Sequence, residues 1–220
     1  MKEEALTYTE TKSISTFVYK FIKRLFDILV SLIGVIFMIP VALIVKISYM
    51  CMGDFKTIFY KQKRIGQFGR EIGIYKFRSM IPNADQVLVD LLKKPKYKKE
   101  WDANQKLEND PRITKIGKIL RKTSLDELPQ CINVLNGDMS LIGPRPLVKG
   151  ELDAHNGNHA IYESVKPGIT GWWACNGRSN ITYEERLALE YYYVKNRGIK
   201  LDIKCIIGTI KTVISRSGAK

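Results

Sequence analysis

The chain has 220 residues, 45% of them hydrophobic and 26% charged, which is enough for one globular domain with a real core and an appendage. Its 36 Lys and Arg outnumber its 22 Asp and Glu, giving a formal charge of +14. That excess favours anionic partners (phosphorylated substrates, anionic lipid head groups or nucleic acid) without choosing among them. Cys51, Cys131, Cys175 and Cys205 are scattered with no C-x-x-C spacing, which argues against a disulfide framework or a zinc site and fits a reducing compartment.

Residues 1–16 are polar and lack a core pattern, so the segment 1–19 reads as a loose tail. No apolar run with a small-residue cleavage site follows promptly, so it does not read as a signal peptide. Ile28–Val45 carries no charge and, as a helix of roughly 18 residues, would measure about 27 Å, close to the hydrocarbon thickness of a bilayer. A buried core helix is the competing reading, but the run is apolar on all faces. Pro40 interrupts it, and both flanks are basic: Lys20, Lys23 and Arg24 before, Lys46, Lys56 and Lys61 after. A crossing segment leaves its positive excess on one side. Segment 20–50 is therefore expected to enter the membrane, break at Pro40 and return.

Thr57–Lys61 and Glu71–Arg78 read as strands joined by the Gly66–Gly69 loop. Lys76 and Arg78 fall on one face of the second strand. They could grip a phosphate together, or form a solvated face next to anionic lipid. A helix is predicted over Asn83–Lys94, and Lys93–Lys99, broken by Pro95, reads as a mobile basic connector. Leu128, Cys131, Ile132 and Leu135 recur at helical spacing, with Asn136-Gly137 as a stop.

Asp126 and Glu127 lie just before that pattern. If Ser124 caps the helix, both acids sit in its first turn, where the dipole favours the ionised form. A carboxylate held charged can bind a metal or act as a nucleophile. Ser124-x-x-Glu127 is equally a capping box, found on many helices without chemistry. Arg121 is close enough in sequence to fold back toward the acids, and Arg145 stands between Pro144 and Pro146, which stiffen the backbone around a planar guanidinium suited to phosphate.

Downstream, His155 and His159 flank Asn156-Gly157-Asn158, a loop signal rather than a helical His pair. Lys166–Gly171 is turn-rich. Of Trp172 and Trp173, one is expected in the core. Thr182–Glu185 is a second capping box opening a helix that ends near Gly198, and Leu201–Ser215 has the pattern of an amphipathic helix lying on a membrane or on the core.

Taken in order, several short motifs resemble those of the monotopic polyprenyl-phosphate phosphoglycosyl transferases, the bacterial sugar transferases. They are Lys23-Arg24-x-x-Asp27, Tyr75–Met80, Leu120-Arg121, Ser124–Gln130, Gly137–Ser140, Gly143–Pro146, Lys166–Gly171 and Leu201-Asp202-x-Lys204. Each is weak alone; in this order and number they are specific, and they cover nearly the whole chain. The resemblance implies transfer of a sugar-1-phosphate from a nucleotide diphosphate sugar, usually a UDP-sugar, to a polyprenyl phosphate, with release of UMP. It implies Asp126 as nucleophile and Glu127 as Mg²⁺ ligand, with Lys76, Arg121 and Arg145 as phosphate contacts and Arg178 as a looser candidate for the nucleotide or sugar.

The implied architecture is α+β. A small mixed helix/strand catalytic domain over 51–220 faces the cytosol, carries amphipathic interfacial helices, and is held to the bacterial inner membrane by one re-entrant helix beside anionic lipids. The chain departs from the family at Ile39-Pro40, where Ser-Pro is usual. It departs also at Met52–Phe55, where a Pro-Gly-rich turn is usual, and at Glu190, usually Asp, which is left outside the expected site. Two other classes compete. One is a non-catalytic basic membrane-surface module, which would leave the acidic pair among arginines unexplained. The other is a conventional glycosyltransferase, which would release UDP. Nucleic acid is not expected as a partner, since the basic residues are not interleaved with exposed aromatics in a binding motif.

Overall fold

The computed structural model describes residues 2–104, 107–176 and 181–215, with side chains described from 16 onward except at 103–104 and 213–215. The class is α+β, with two small two-stranded sheets among helices. The first helix, α1, runs from Lys2 to Cys51 without a break. It therefore starts inside the stretch expected to be a loose tail. No Gly or Pro occurs before Gly34, so nothing in the backbone stops a helix, once nucleated in the apolar segment, from propagating toward the N-terminus. Pro40 lies inside α1, so the break expected there does not end the helix. A proline removes one bond of the helical ladder, and intact turns on both sides carry the element through it.

One stripe of α1 is covered by the rest of the chain. Asp27, Ser31, Met38, Val45 and Tyr49 are buried, spaced by four or seven residues, the repeat of a single helix face. Ile33, Ile36, Phe37, Ile39, Leu43 and Ile44 on the remaining surface are exposed. The covered stripe is tied down by polar contacts at its start. Lys23 Nζ donates to Asp202 Oδ2 at 2.9 Å, and Arg24 donates to the carbonyls of Val134 and Leu135 at 2.6 and 2.8 Å. Asp27 Oδ1 accepts from the Leu141 N–H at 3.0 Å and from Ser140 Oγ at 3.1 Å. These long-range bonds explain why Lys23-Arg24-x-x-Asp27 precedes an apolar segment.

Strands β1 (Phe59–Ile65) and β2 (Glu71–Phe77) form an antiparallel hairpin. Helix α2 (Ala84–Leu92) matches its prediction. The basic run that follows is not a connector: Pro95 opens α3 (Pro95–Asn104), a position where its missing N–H costs nothing. Helix α4 (Lys115–Thr123) is capped by Thr114, whose hydroxyl accepts from Gly117 N–H, and α5 (Gln130–Asn136) ends at Gly137 as expected. The main apolar cluster joins α1 to the hairpin and α4 through Met38, Val45, Tyr49, Ile58, Phe77 and Leu120.

β3 (Ser140–Ile142) pairs in parallel with β4 (Gly168–Thr170), a strand hidden in the turn-rich Lys166–Gly171 stretch. A Cβ on Gly168 would stand 2.1 Å from Gly143 N, so the two glycine-bearing motifs pack backbone on backbone. A short α6 (His159–Tyr162), α7 (Trp172–Asn176), α8 (Tyr183–Asn196) and α9 (Ile199–Ser215) complete the chain. The capping box at Thr182–Glu185 is formed in both directions. Trp172 packs with the cluster of Ile142, Tyr193, Leu201 and Cys205.

Candidate active site

The acidic pair lies on a one-turn 3₁₀ segment, Leu125–Glu127, wedged between α4 and α5. Ser124 does not cap it. This residue is left-handed (φ 56°), ends α4, and makes no side-chain cap bond. The capping-box account of Ser124-x-x-Glu127 therefore fails, and so does the idea that a helix dipole holds Asp126 charged. Burial, and next the charge of Glu127, push the Asp126 carboxyl up from 3.8 to about 6, with Lys76 and Arg121 pulling the other way. At neutral pH the carboxylate still predominates, in a site that destabilises it.

Lys76 Nζ donates to Glu127 Oε1 at 3.0 Å, both side chains partly exposed. This geometry depends on Asn133, which is fully buried in α5. Its side chain accepts from Tyr75 N–H at 2.9 Å and donates to the Gly73 carbonyl at 2.8 Å, acting as the missing neighbour of β2's outer edge. Arg24 holds the far end of α5 through the carbonyls of its last turn. The turn that carries the acids is thus fixed between α1 and the hairpin. Arg121 completes the group, with Nε donating to Ser79 Oγ at 2.9 Å.

Arg78 does not join Lys76. It lies past the end of β2 and is buried against Asp54 at 2.7 Å and over the Tyr49 ring at 4.4 Å. The shared-face expectation assumed that the strand continued through Arg78. Its guanidinium instead fixes the Met52–Phe55 loop, in which the chain departs from the family pattern.

Arg145 belongs to a second group. Its N–H donates to Glu190 Oε1 at 3.0 Å, its carbonyl accepts from Tyr162 at 2.9 Å, and its exposed side chain lies over Trp173 at 5.7 Å. Glu190, 1% exposed, is pushed up to about 7 by burial, against the Arg145 N–H and the charge of Arg186. The sequence reading left Glu190 out; an acid in the interior of a tyrosine-rich helix was the available signal. Arg178 lies outside the described residues.

Asp126, Glu127, Lys76 and Arg121 therefore meet, while Arg145 is held with Glu190 and Trp173. No group of three or more His, Cys, Asp or Glu gathers among the described residues. A divalent cation here would take carboxylate oxygen from Glu127 and the rest of its ligands from phosphate and water, a set that suits Mg²⁺. The repulsion that raises Asp126 is one a cation would relieve, so these residues fit it.

Comparison with known proteins places the chain in a family. The chain is 44% identical over 201 residues to the UDP-galactose-lipid carrier transferase of Erwinia amylovora, covering 91% of this chain and 42% of that one. It is 43% identical over 201 residues to the undecaprenyl-phosphate galactose phosphotransferase of Salmonella typhimurium, with the same coverage of 91% and 42%. It is 38% identical over 198 residues to the exopolysaccharide production protein ExoY of Sinorhizobium fredii, covering 90% of this chain and 87% of the relative. The chain thus spans less than half the length of the first two relatives and most of the third. The family described as bacterial sugar transferase matches residues 18–216, motifs and acidic pair included, and the chain belongs to it.

Proposed function

We propose that the protein transfers a sugar-1-phosphate from a UDP-sugar to undecaprenyl phosphate, releasing UMP and starting a surface glycan. The observation that carries this reading is a half-buried aspartate beside a second carboxylate, with Lys76 paired to Glu127, the charge of Arg121 acting on Asp126, and an apolar helix packed beneath. The relatives' names, UDP-galactose-lipid carrier transferase and undecaprenyl-phosphate galactose phosphotransferase, supply the two substrate classes.

An Asp126 oxygen attacks the sugar-bearing phosphorus. The bond from that phosphorus to the bridging oxygen breaks, and UMP leaves with that oxygen. An acceptor phosphate oxygen then attacks the same phosphorus, the bond to Asp126 breaks, and the carboxylate is restored. Neither step needs a proton, so no general base is required. Lys76 and Arg121 face the negative charge that gathers on the phosphoryl oxygens, and burial strengthens that interaction. Mg²⁺, when bound through Glu127, supplies further charge neutralisation at the phosphates.

Both ends of the apolar part of α1 are held by one domain. Tyr19 and Lys23 reach Asp202, while Tyr49 donates to the Arg78 carbonyl at 2.7 Å and Lys46 to that of Phe55 at 2.9 Å. With Pro40 as the point of bending, this supports a helix that enters and leaves on the cytoplasmic face, where the nucleotide donor is found. Labels at Lys12 and Lys220 should react from the same side. The activity is tested with UDP-sugar, Mg²⁺ and undecaprenyl phosphate: UMP is expected as product, Asp126→Asn should abolish it while the protein remains membrane-bound, and donor alone should leave a phosphosugar adduct on Asp126. Release of UDP instead would make the chain a conventional glycosyltransferase.

A further inference from the structure

The second group extends beyond Arg145. Arg186 is sandwiched between Trp173 and Tyr183 at 4.8 and 4.9 Å, and its Nη1 donates to Glu151 Oε1 at 3.3 Å. Arg64, near the end of β1, lies 3.9 Å from the other oxygen of the same Glu151. Arg64 and Arg186 are 13% and 12% exposed at their side chains. Arg145 and Arg186 thus both lie over Trp173, while Arg64 and Arg186 share Glu151. Burial and then the like charge of Arg145 pull Arg64 below the usual guanidinium range, the mark of crowded cations.

A second observation is independent of charge. Trp173 Nε1 and Glu190 Oε2 are buried with no hydrogen-bond partner among the described residues, and Arg186 Nε and Nη2 make no bond of good geometry there, with the Tyr162 hydroxyl beside that guanidinium. Buried polar groups are almost always well paired, so these under-satisfied atoms, three of them donors, point to a missing acceptor-rich group.

The hairpin fixes where this place lies. Paired residues on β1 and β2 share a face, so Tyr60, Gln62 and Arg64 stand on the same side as Lys76. At one end Phe77 packs against α1; at the other Ile65 bridges to Leu147. Arg64 pairs with Ile72, four residues from Lys76, or roughly 13 Å along the strand. Along α8, Arg186 is similarly about 10 Å from Tyr193, the residue that meets Lys23 of α1. The arginine group is therefore set back from the apolar helix, at the end of the site away from where a lipid phosphate arrives.

Given the activity proposed above, we infer that Arg64, Arg145 and Arg186, gathered beside Glu151 and Trp173, hold the nucleoside monophosphate half of the donor through its oxygen acceptors. The other half, the sugar, offers as many donors as acceptors and no charge, a poorer match to unpaired guanidinium and indole N–H groups. The hairpin face then orders the reaction: acceptor at the α1 end, phosphoryl transfer at Asp126, nucleotide leaving from the Trp173 end. Arg64 and Arg186 are binding residues that the motif pattern does not point to.

The test is UMP and uridine binding by calorimetry to the full-length protein, in wild type, Arg64→Gln, Arg186→Gln and Lys63→Gln. Lys63→Gln removes the same charge from an exposed neighbour on β1. About tenfold weaker UMP binding is expected in Arg64→Gln and Arg186→Gln, as for loss of a charge-assisted hydrogen bond, with Lys63→Gln unchanged. If uridine weakens in parallel, the contact is to the base; if UMP alone weakens, it is to the phosphate. Should Arg186→Gln fail to fold, Arg64→Gln decides. Unchanged UMP affinity in Arg64→Gln overturns the inference. Turnover by the wild type is measured separately, so failure to release UMP refutes the activity while a binding loss still locates the nucleotide.

Discussion

Asp126→Asn should make the protein inactive and more stable. Asp126 titrates at 3.8 in an unfolded chain and at about 6 in this fold. The folded state therefore binds the proton more tightly. Stability is full below the unfolded value, declines as pH rises through the window between about 4 and 6, and stays reduced above it. At about 1.4 kcal/mol per pH unit, the buried charge costs about 3 kcal/mol at pH 7. Asparagine removes that cost. For a chain of this size, a gain of about 3 kcal/mol corresponds to roughly 6–12 °C in melting temperature. The assay is thermal unfolding of wild type and variant in detergent between pH 4 and 8. The two curves should nearly coincide at pH 4 and separate as pH rises to 7. A difference independent of pH, or a less stable variant at pH 7, would refute the account of Asp126 as a charge held at the fold's expense.

Three other outcomes follow from the same geometry. UMP release should fall about tenfold per pH unit below about 6 as Asp126 is protonated, and Lys76→Met, which removes a cation that lowers Asp126, should move that limb to higher pH; a flat profile from pH 5 to 7 would contradict it. Asp202→Asn should cost about 2–3 kcal/mol in unfolding measurements, because it strands Lys23 and removes the carboxylate that Tyr19 and Tyr193 also contact. Gly117→Ala should cost about 3 kcal/mol or more, since its Cβ would stand 1.9 Å from the Ser79 carbonyl oxygen, which is backbone and cannot swing aside.

Much of the local structure was already written in the sequence, because periodicity, caps and turns depend on neighbours three or four residues apart. The apolar run, the hairpin, the Thr182–Glu185 capping box and the stop at Gly137 are of this kind. So is the order of motifs that identifies the family. The errors lie where distant segments decide. β4 looked like a turn because a strand of three residues has no readable period, and only its parallel partner β3 makes it one. Ser124 carried the spelling of a cap, yet the junction of α4 with the acidic turn needs a left-handed residue there.

The acidic pair itself could be found by reading the chain, but its chemistry could not. Whether Asp126 is easily or reluctantly ionised depends on what buries it and on Glu127, Lys76 and Arg121, which converge only when α5 is fixed by Asn133 and Arg24. Arg78 shared a motif with Lys76, yet it pairs with Asp54. Arg64 and Arg186 are 122 positions apart in the numbering, but both reach Glu151. Sequence determined which groups the protein owns and the local elements that bear them. Tertiary structure decided which charges meet, because burial and electrostatics act across space and not along the chain.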